Sequence, residues 1–322
     1  MGDRARVAVL ISGRGSNMAA LIYAAKSDGC AFEVALVTGD NPEAPGLAIA
    51  EAEGVAVKRL PRPAAKDRSQ FFEALNREIR LADVDYIALA GFMRILPADF
   101  IARWEGRIVN IHPSLLPKYK GLDTHRQAIE AGDRFAGCSV HLVTESVDDG
   151  PVIGQTHVAI LPGDTPESLT ERVLIAEHEL YPRMLAQFAA RERSADWITQ
   201  KVGELALALP ETRAKTSHGS PGWRVGSETT GKFFAIMFNR HHGEDSIGML
   251  VKCSGQDEMA QLIDTDPDTY FRPAYYGPSD WIGIRLDRRG VDWSHVAQWL
   301  ATSWRIVAPP RLTKLSRAAD EF

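Results

Sequence analysis

The sequence predicts an α/β protein, with a doubly wound, mostly parallel sheet followed by a smaller C-terminal α+β domain. In the first half, continuous apolar runs such as "VAVLIS" alternate with segments of helical periodicity. Such runs are typical of parallel strands that are buried on both faces. Beyond about residue 196 the order becomes one helix, several short strands and a last helix, which is typical of an α+β domain. We therefore expect domains at 1–192 and 196–322.

The elements of the first half follow in order. The predicted strands are "VAVLIS", "FEVALVTG", "VAVKRL", "VDYIALAG" and "GRIVNIHPS", and the predicted helices between them are "NMAALIYAAK", "PGLAIAEAEG" and "DRSQFFEALNREIRLA". From Gly137 two strand-like runs are separated only by the turn "DDGP", so we expect a hairpin at the edge of the sheet. A long amphipathic helix that opens at Thr165 and Pro166 closes this half.

The second half has a helix that ends at Pro210, the short strands "GWRVG", "KFFAIMFN", "IGMLVKC" and "WIGIRL", and a closing helix "DWSHVAQWLATSWRIVA". Gly, Asn and Asp turns separate the strands. We expect its tryptophans to be core and helix-face residues: Trp281, Trp293, Trp299 and Trp304.

Composition excludes several classes of function. The 322 residues carry a net charge of -5, whereas a general polyanion binder needs a basic stripe, so we do not expect a nucleic-acid partner. The three cysteines are far apart and fit neither a disulfide framework nor a zinc cluster, so we expect no metal. The N-terminal apolar run is too short for a signal peptide, and no stretch reaches membrane-spanning length. We expect a cytoplasmic protein, and the sequence leaves the oligomeric state open.

The loop "SGRGSN" follows the first predicted strand and precedes a helix, so its backbone amides can face an anion. It lacks the full dinucleotide fingerprint because Met18 occupies the place of the third glycine, and we see no acidic residue placed to bind a ribose. Two interpretations remain for the loop alone: a tight turn without a ligand, or a site for one phosphate.

The segment "NIHPS" ends a predicted strand, and the carboxyl ends of parallel strands are where open α/β sheets place their sites. Asn110 and His112 are two residues apart, so their side chains lie on the same face. An amide can bind a carbonyl oxygen, and an imidazole can transfer a proton near neutral pH. In "TESVDDGP" we expect Asp149 to be a turn residue, whereas Asp148 can stabilise the charged form of His112.

"LAGFMRILP" also follows a strand end. Its apolar residues Phe92, Met93, Ile95 and Leu96 fit two environments equally well. They can belong to the core, or they can line an apolar pocket for a flat ring.

Together, "VLISGRGSN", "LAGFMRIL", "NIHPSLLPKYKGLDTHRQAIEAGD", "GCSVHLVTESVDDGPVIGQ" and "RVLIAEHELYP" resemble, in that order, the phosphoribosylglycinamide formyltransferases (glycinamide ribonucleotide transformylases). The resemblance runs from Val7 to about Ala190. It implies the formyltransferase fold, and transfer of a formyl group from the cosubstrate 10-formyltetrahydrofolate to the amine of glycinamide ribonucleotide, in de novo purine (IMP) biosynthesis. It implies no metal.

The resemblance also implies site residues. The catalytic residues are Asn110, His112 and Asp148, and the substrate phosphate is bound by Gly15, Ser16 and Asn17. The glycinamide end meets residues 174–177, with Glu177 as the side-chain ligand. The folate pocket falls on Arg68, Met93, Arg94, Ile95, Leu96, Asn110, Thr144, Val147 and Asp148. The chain departs from the family at Asp149, where a glycine is frequent.

Related formyl-processing enzymes share the Asn-x-His and Asp residues, so the acceptor needs a separate argument. A methionyl-tRNA formyltransferase must engage a polyanion, and this chain has no basic excess. A 10-formyltetrahydrofolate hydrolase usually carries an N-terminal regulatory domain, whereas this core starts almost at residue 1. The hydrolase, or another formyltransferase on the same core, stays the alternative.

The second half resembles the MmcQ/YjbR family through "KTSHGSPGWRVGSETTGKFFAIMF" and "YYGPSDWIGIRL", over about 197–311. The resemblance implies a small α+β fold, and DNA binding has been proposed for that family. Residues 201–322 carry 15 Lys and Arg against 15 Asp and Glu. Because phosphate contacts need an excess of basic residues, the charge balance gives DNA binding little support.

Overall fold

The computed structural model describes residues 4–60, 68–227, 230–241 and 243–313. The chain divides into two compact units, Arg4–Ala190 and Arg191–Phe322, and each is described by itself. The predicted domain ends at residues 1 and 322 lie outside the described residues.

The first unit is built on one seven-stranded sheet with the strand order β3-β2-β1-β4-β5-β6-β7. Its strands are β1 (Ala5–Ile11), β2 (Phe32–Gly39), β3 (Val57–Arg59), β4 (Tyr86–Leu89), β5 (Ile108–His112), β6 (Phe135–Leu142) and β7 (Val152–Ala159). The first five strands run parallel. The last two form the predicted antiparallel hairpin at one edge.

Helices cover both faces of this sheet: α1 (Ser16–Ala25), α2 (Pro45–Ala52), α3 (Arg68–Leu81), α4 (Ala98–Arg103), α5 (Thr124–Glu130) and α6 (Pro166–Arg191). The central strand β1 shows why, because its side chains alternate between two cores. Val7, Val9 and Ile11 pack into the core with α1, α2 and α6, whereas Ala8 and Leu10 pack into the core with α3 and α4. The predicted doubly wound fold is confirmed.

The second unit is a smaller α+β domain, also as predicted. Its six strands are all antiparallel, in the order β12-β13-β11-β10-β9-β8. They are β8 (Thr212–Ala214), β9 (Gly222–Val225), β10 (Lys232–Asn239), β11 (Ile247–Lys252), β12 (Tyr270–Phe271) and β13 (Trp281–Arg285). The helices are α7 (Ala195–Leu207), α8 (Gln256–Thr265) and α9 (Trp293–Val307).

The tryptophans of this unit lie where the sequence predicts them. Trp281, Trp299 and Trp304 are buried, and Trp293 packs edge-on against Trp197. One sheet face is covered by α7 and α9, whose apolar residues form the main core with the strands. The opposite face carries a smaller buried cluster that includes Phe238 and Leu250.

Candidate active site

The predicted catalytic residues converge at the carboxyl end of β5. Asn110 and His112 lie on this strand, and Asp148 lies on the loop that joins β6 to β7. Because β6 runs antiparallel to β5 and ends with Leu142 opposite Val109, the loop has to fold back along β5 to reach His112. As a result, His112 Nδ1 lies 3.3 Å from Asp148 Oδ2. Both side chains are largely buried, with exposed fractions of 6% and 12%.

The two nitrogens of the His112 ring face acceptors on opposite sides. Nδ1 faces the Asp148 carboxylate, and Nε2 lies 2.9 Å from the Tyr119 carbonyl oxygen. A neutral imidazole carries only one N–H, so both contacts are hydrogen bonds only when the ring is doubly protonated. The arrangement therefore suits a charged imidazolium that can donate a hydrogen bond.

His141 is a member of the cluster that the sequence analysis did not identify. It stands opposite Asn110 in the β5–β6 pair. Its Nε2 lies 3.1 Å from Asn110 Nδ2 and 3.5 Å from Asp148 Oδ1, and its Nδ1 lies 2.8 Å from the Leu142 carbonyl oxygen. His141 Nε2 thus lies between the side chains of Asn110 and Asp148.

Asp148 is held as a carboxylate by its surroundings. Burial alone would raise its pKa, but hydrogen bonds from His141 and from the Gly121 backbone amide, with the charges of the two histidines, hold the pKa below its ordinary value. The Gly121 amide donates to Oδ2 over 3.0 Å. The backbone of Asp148 is left-handed, with φ of 50°, a conformation that is uncommon outside glycine and tends to mark functional sites.

The loop after β1 has the geometry of an anion site. Gly15 precedes α1 in a left-handed conformation, with φ of 74°, and no side chain caps the helix. The first N–H groups of a helix have no partner within it, so those of α1 can bind a phosphate. Gly46 of α2 packs against this loop: a Cβ there would lie 3.0 Å from Gly15 Cα and 3.1 Å from the Gly13 carbonyl oxygen.

Glu177 lies next to this loop and is buried, with 6% of its surface exposed. Its Oε2 accepts a hydrogen bond of 2.7 Å from Asn17 Nδ2. Burial raises the pKa of Glu177 to about 7, although the bond from Asn17 opposes that shift. The Asn17 side-chain amide is therefore engaged by Glu177, and its buried Oδ1 has no hydrogen-bond partner within the described ranges.

The segment that follows β4, Phe92–Leu96, we call the folate loop, after the predicted ligand. Phe92 and Leu96 are buried, whereas Met93 and Ile95 are 68% and 61% exposed. Each of the two sequence interpretations thus applies to one pair of these residues. The first pair belongs to the core, and the exposed pair is free to line a pocket.

The remaining predicted folate residues flank this loop or the Asp148 loop. Arg68 Nη2 donates to the Ile95 carbonyl oxygen over 2.6 Å, and Arg94 Nε donates to Asp40. Thr144 and Val147 are exposed on the Asp148 loop. Asp149 is exposed, as expected of a turn residue, and forms an ion pair with Lys120.

The sequence analysis identified no acidic residue placed to bind a ribose, but the structure shows Asp40 in such a place. It directly follows β2, where dinucleotide-binding folds carry the acid that binds a ribose. An acidic residue does occupy that place, but its carboxylate is bound by Arg94.

The described part of the chain shows neither a metal centre nor a membrane-spanning helix. Among the residues that the structure describes, no three His, Cys, Asp or Glu side chains group as a metal site requires. Within the same ranges, no helix is long and apolar enough to cross a membrane.

The chain is similar to known proteins in both of its units. The "YjbR" family model matches residues 207–306 in the second unit. The phosphoribosylglycinamide formyltransferase of Escherichia coli strain K12 is 45% identical over 183 residues, which cover 57% of this chain and 86% of that protein. The crystal structure of the phosphoribosylglycinamide formyltransferase from Brucella melitensis is 50% identical with a TM-score of 0.55, and the match covers 58% of this chain and 97% of that one.

A much longer relative is the trifunctional purine biosynthetic protein adenosine-3 of Drosophila melanogaster. It is 48% identical over 185 residues, which are 57% of this chain but only 14% of that protein. The formyl transferase family model matches residues 5–185, more than half of this chain, and these residues hold the whole Asn110, His112 and Asp148 cluster. The chain therefore belongs to the formyl transferase family.

Proposed function

We propose that this chain transfers the formyl group of 10-formyltetrahydrofolate to the amine of glycinamide ribonucleotide, a step of de novo purine (IMP) biosynthesis. The observation that carries the proposal is the buried His112–Asp148 contact beside Asn110. It lies at the carboxyl ends of the parallel strands, where the loop that opens α1 also lies. The names of the relatives from Escherichia coli and Brucella melitensis support the same reaction. We also propose that the reaction takes place in the cytoplasm.

The chemistry of the step follows from the cluster. The neutral amine of the acceptor attacks the formyl carbon, and the carbonyl oxygen becomes an oxyanion. The Nε2–H of His112 leaves the Tyr119 carbonyl for this oxyanion, and the Asn110 amide donates beside it. One such donor is worth about 3 kcal/mol of barrier. Collapse of the intermediate breaks the bond to N10 of the folate, which takes up a proton as the amine loses one.

Each part of the acceptor has a proposed partner. The phosphate binds the backbone amides of Gly15, Ser16 and Asn17, where the N-terminus of α1 favours an anion. Glu177 takes the glycinamide end. The cosubstrate lies against Arg68, the exposed side chains of the folate loop, and Thr144 and Val147.

The main alternative is hydrolysis of 10-formyltetrahydrofolate, in which water replaces the amine. The full chain should be assayed for tetrahydrofolate and formate release with and without glycinamide ribonucleotide. We expect tetrahydrofolate to form only with the acceptor, together with formylated acceptor. Formate release at the same rate without the acceptor would support the hydrolase instead.

A further inference from the structure

Asp40 and Arg94 form a half-buried ion pair that the proposed reaction does not use. Arg94 Nε donates to Asp40 Oδ2 over 2.6 Å, and the exposed fractions of the two side chains are 32% and 12%. Asp40 follows β2, and Arg94 lies in the folate loop after β4. The pair therefore connects two loops on either side of β1, since β1 lies between β2 and β4 in the sheet.

The Asp40 carboxylate is already engaged by the protein. Its Oδ1 is shielded from solvent and has no hydrogen-bond partner among the described residues, and its Oδ2 accepts from Arg94. A buried carboxylate is costly without a partner, so Asp40 holds Arg94 strongly in this position.

Other contacts show how the folate loop is fastened. The Met93 amide donates to Ser12 Oγ over 2.8 Å, the Ser12 amide donates to the Gly91 carbonyl oxygen over 3.1 Å, and Arg68 binds the Ile95 carbonyl oxygen. These contacts hold the backbone on either side of Arg94. Asp40 restrains the Arg94 side chain itself.

We propose that Asp40 is a positioning residue for the reduced-folate cosubstrate, which acts by holding Arg94 and so the folate loop in its binding conformation. This inference rests on the proposed function, because it takes the folate loop as the cosubstrate site. Preorganised loops bind more tightly because less conformational freedom is lost on binding. Loss of the charge of Asp40 should therefore weaken cosubstrate binding more than it slows the chemical step.

The test uses Asp40→Asn in the full chain. We expect the KM and the Kd for 10-formyltetrahydrofolate to rise about tenfold, as expected when a preorganised charged contact is lost. The KM for glycinamide ribonucleotide should change less than about twofold, because mutations at separate sites act independently. The Kd is measured by calorimetry without an acceptor, so it can be read even if the acceptor is a different molecule.

Asp164→Asn is the matched control. Asp164 is also a buried aspartate paired with an arginine, Arg172, and its side chain is 7% exposed, but it lies just before α6 and outside the predicted folate residues. We expect this variant to lower the melting temperature without raising the Kd for the cosubstrate. An equal rise in Kd for both variants would show a general loss of stability and overturn the positioning role.

Arg94→Gln and the double variant complete a cycle that does not depend on Asp40→Asn being stable. If Asp40 acts through Arg94, Asp40→Asn has no further effect on the Kd when Arg94 is already glutamine. A full tenfold effect in that background would contradict the inference. If the cycle holds but wild-type protein fails to formylate glycinamide ribonucleotide, the proposed acceptor is wrong and the inference on Asp40 stands.

Discussion

His112 Nδ1 lies 3.3 Å from Asp148 Oδ2, and both side chains are largely buried. The contact joins two chain segments that are separated by α5 and β6, and it points the opposite nitrogen of the ring toward the Tyr119 carbonyl oxygen. One carboxylate therefore fixes the orientation of the imidazole and faces it with a negative charge. The proposed reaction depends on both.

Asp148→Asn should nearly abolish formyl transfer while leaving the fold intact. An amide removes the negative charge and can turn an N–H toward His112, so the ring loses its partner for the charged form. By analogy with an aspartate that orients a catalytic histidine, we expect kcat to fall about 10³- to 10⁴-fold. Steady-state kinetics give the rate, and circular dichroism with thermal melting checks the fold. A wild-type rate would remove Asp148 from the mechanism.

Asp149→Gly tests the residue at which the chain departs from the family. Asp149 and Lys120 form an ion pair whose side chains are 53% and 39% exposed. Exposed pairs contribute about 0–1 kcal/mol, so we expect kcat and both KM values within about threefold of wild type. The control is the neighbouring Asp148→Asn variant. A loss of activity comparable to that variant would mean that Asp149, rather than Asp148 alone, sets the state of His112.

The sequence predicts the outline of this site but not its hydrogen bonds. Asn110 and His112 end a strand that is recognisable from its apolar run, and the turn with Asp148 follows from the hairpin pattern. His141 could not be assigned, because its position opposite Asn110 depends on the register of β5 and β6. The Tyr119 carbonyl and the Gly121 amide are backbone groups, which carry no residue signature.

The helices α4, α5 and α8 and the Asp40–Arg94 pair were not predicted from the sequence, and each omission has a physical reason. The helices α4 and α5 have six and seven residues, too few for a helical period to be recognised. In α8, which has ten residues, Met259 is buried and Leu262 and Ile263 are partly buried, so its apolar face is only about two turns long. The Asp40–Arg94 pair depends on the adjacency of β2, β1 and β4 in the sheet, which a linear pattern does not specify.

Glu177→Gln should stabilise the first unit at alkaline pH and weaken acceptor binding. Burial raises the pKa of Glu177 to about 7 from 4.5, so between these values the native state binds more protons than the unfolded chain. The free energy of unfolding therefore falls as pH rises from 4.5 to 7, by about 3 kcal/mol for such a shift. Glutamine can still accept the hydrogen bond from Asn17. Because it is neutral, it does not carry the cost of burying a charged carboxylate.

The measurement is thermal melting of both proteins at pH 5 and pH 8. We expect a higher melting temperature for Glu177→Gln at pH 8, and a smaller difference at pH 5, where Glu177 is largely protonated. The KM for glycinamide ribonucleotide at pH 8 should rise, because the proposed ligand of the glycinamide end has lost its charge. A variant that is less stable than wild type at pH 8 would contradict the burial argument.

Gly46→Ala should raise the KM for the acceptor through the phosphate loop. A Cβ at this position would lie 2.6 Å from Ile11 Cδ1, 3.0 Å from Gly15 Cα and 3.1 Å from the Gly13 carbonyl oxygen. The Ile11 side chain can move, but the two backbone contacts require α2 or the loop to shift. We expect the KM for glycinamide ribonucleotide to rise about tenfold, since small displacements of binding groups are costly.

The control for this change is Gly255→Ala in the second unit, where a Cβ meets nothing within 4 Å. Kinetics of both variants with varied acceptor and varied cosubstrate separate the two KM values. A rise for the cosubstrate alone would show that Gly46 does not support the phosphate loop.

The full chain should not bind duplex DNA tightly at physiological salt. Residues 201–322 carry equal numbers of basic and acidic residues, 15 of each, and Arg285 and Arg311 of the second unit are paired with Glu244 and Glu211. Phosphate binding needs unpaired cations, so we expect a dissociation constant of about 10⁻⁶ M or weaker, as for non-specific contacts. Fluorescence anisotropy with a labelled duplex over a salt series measures it, and Glu211→Lys tests whether added positive charge strengthens binding. Sub-micromolar, salt-sensitive affinity of the wild-type chain would show that the local distribution of charge, and not its sum, governs this domain.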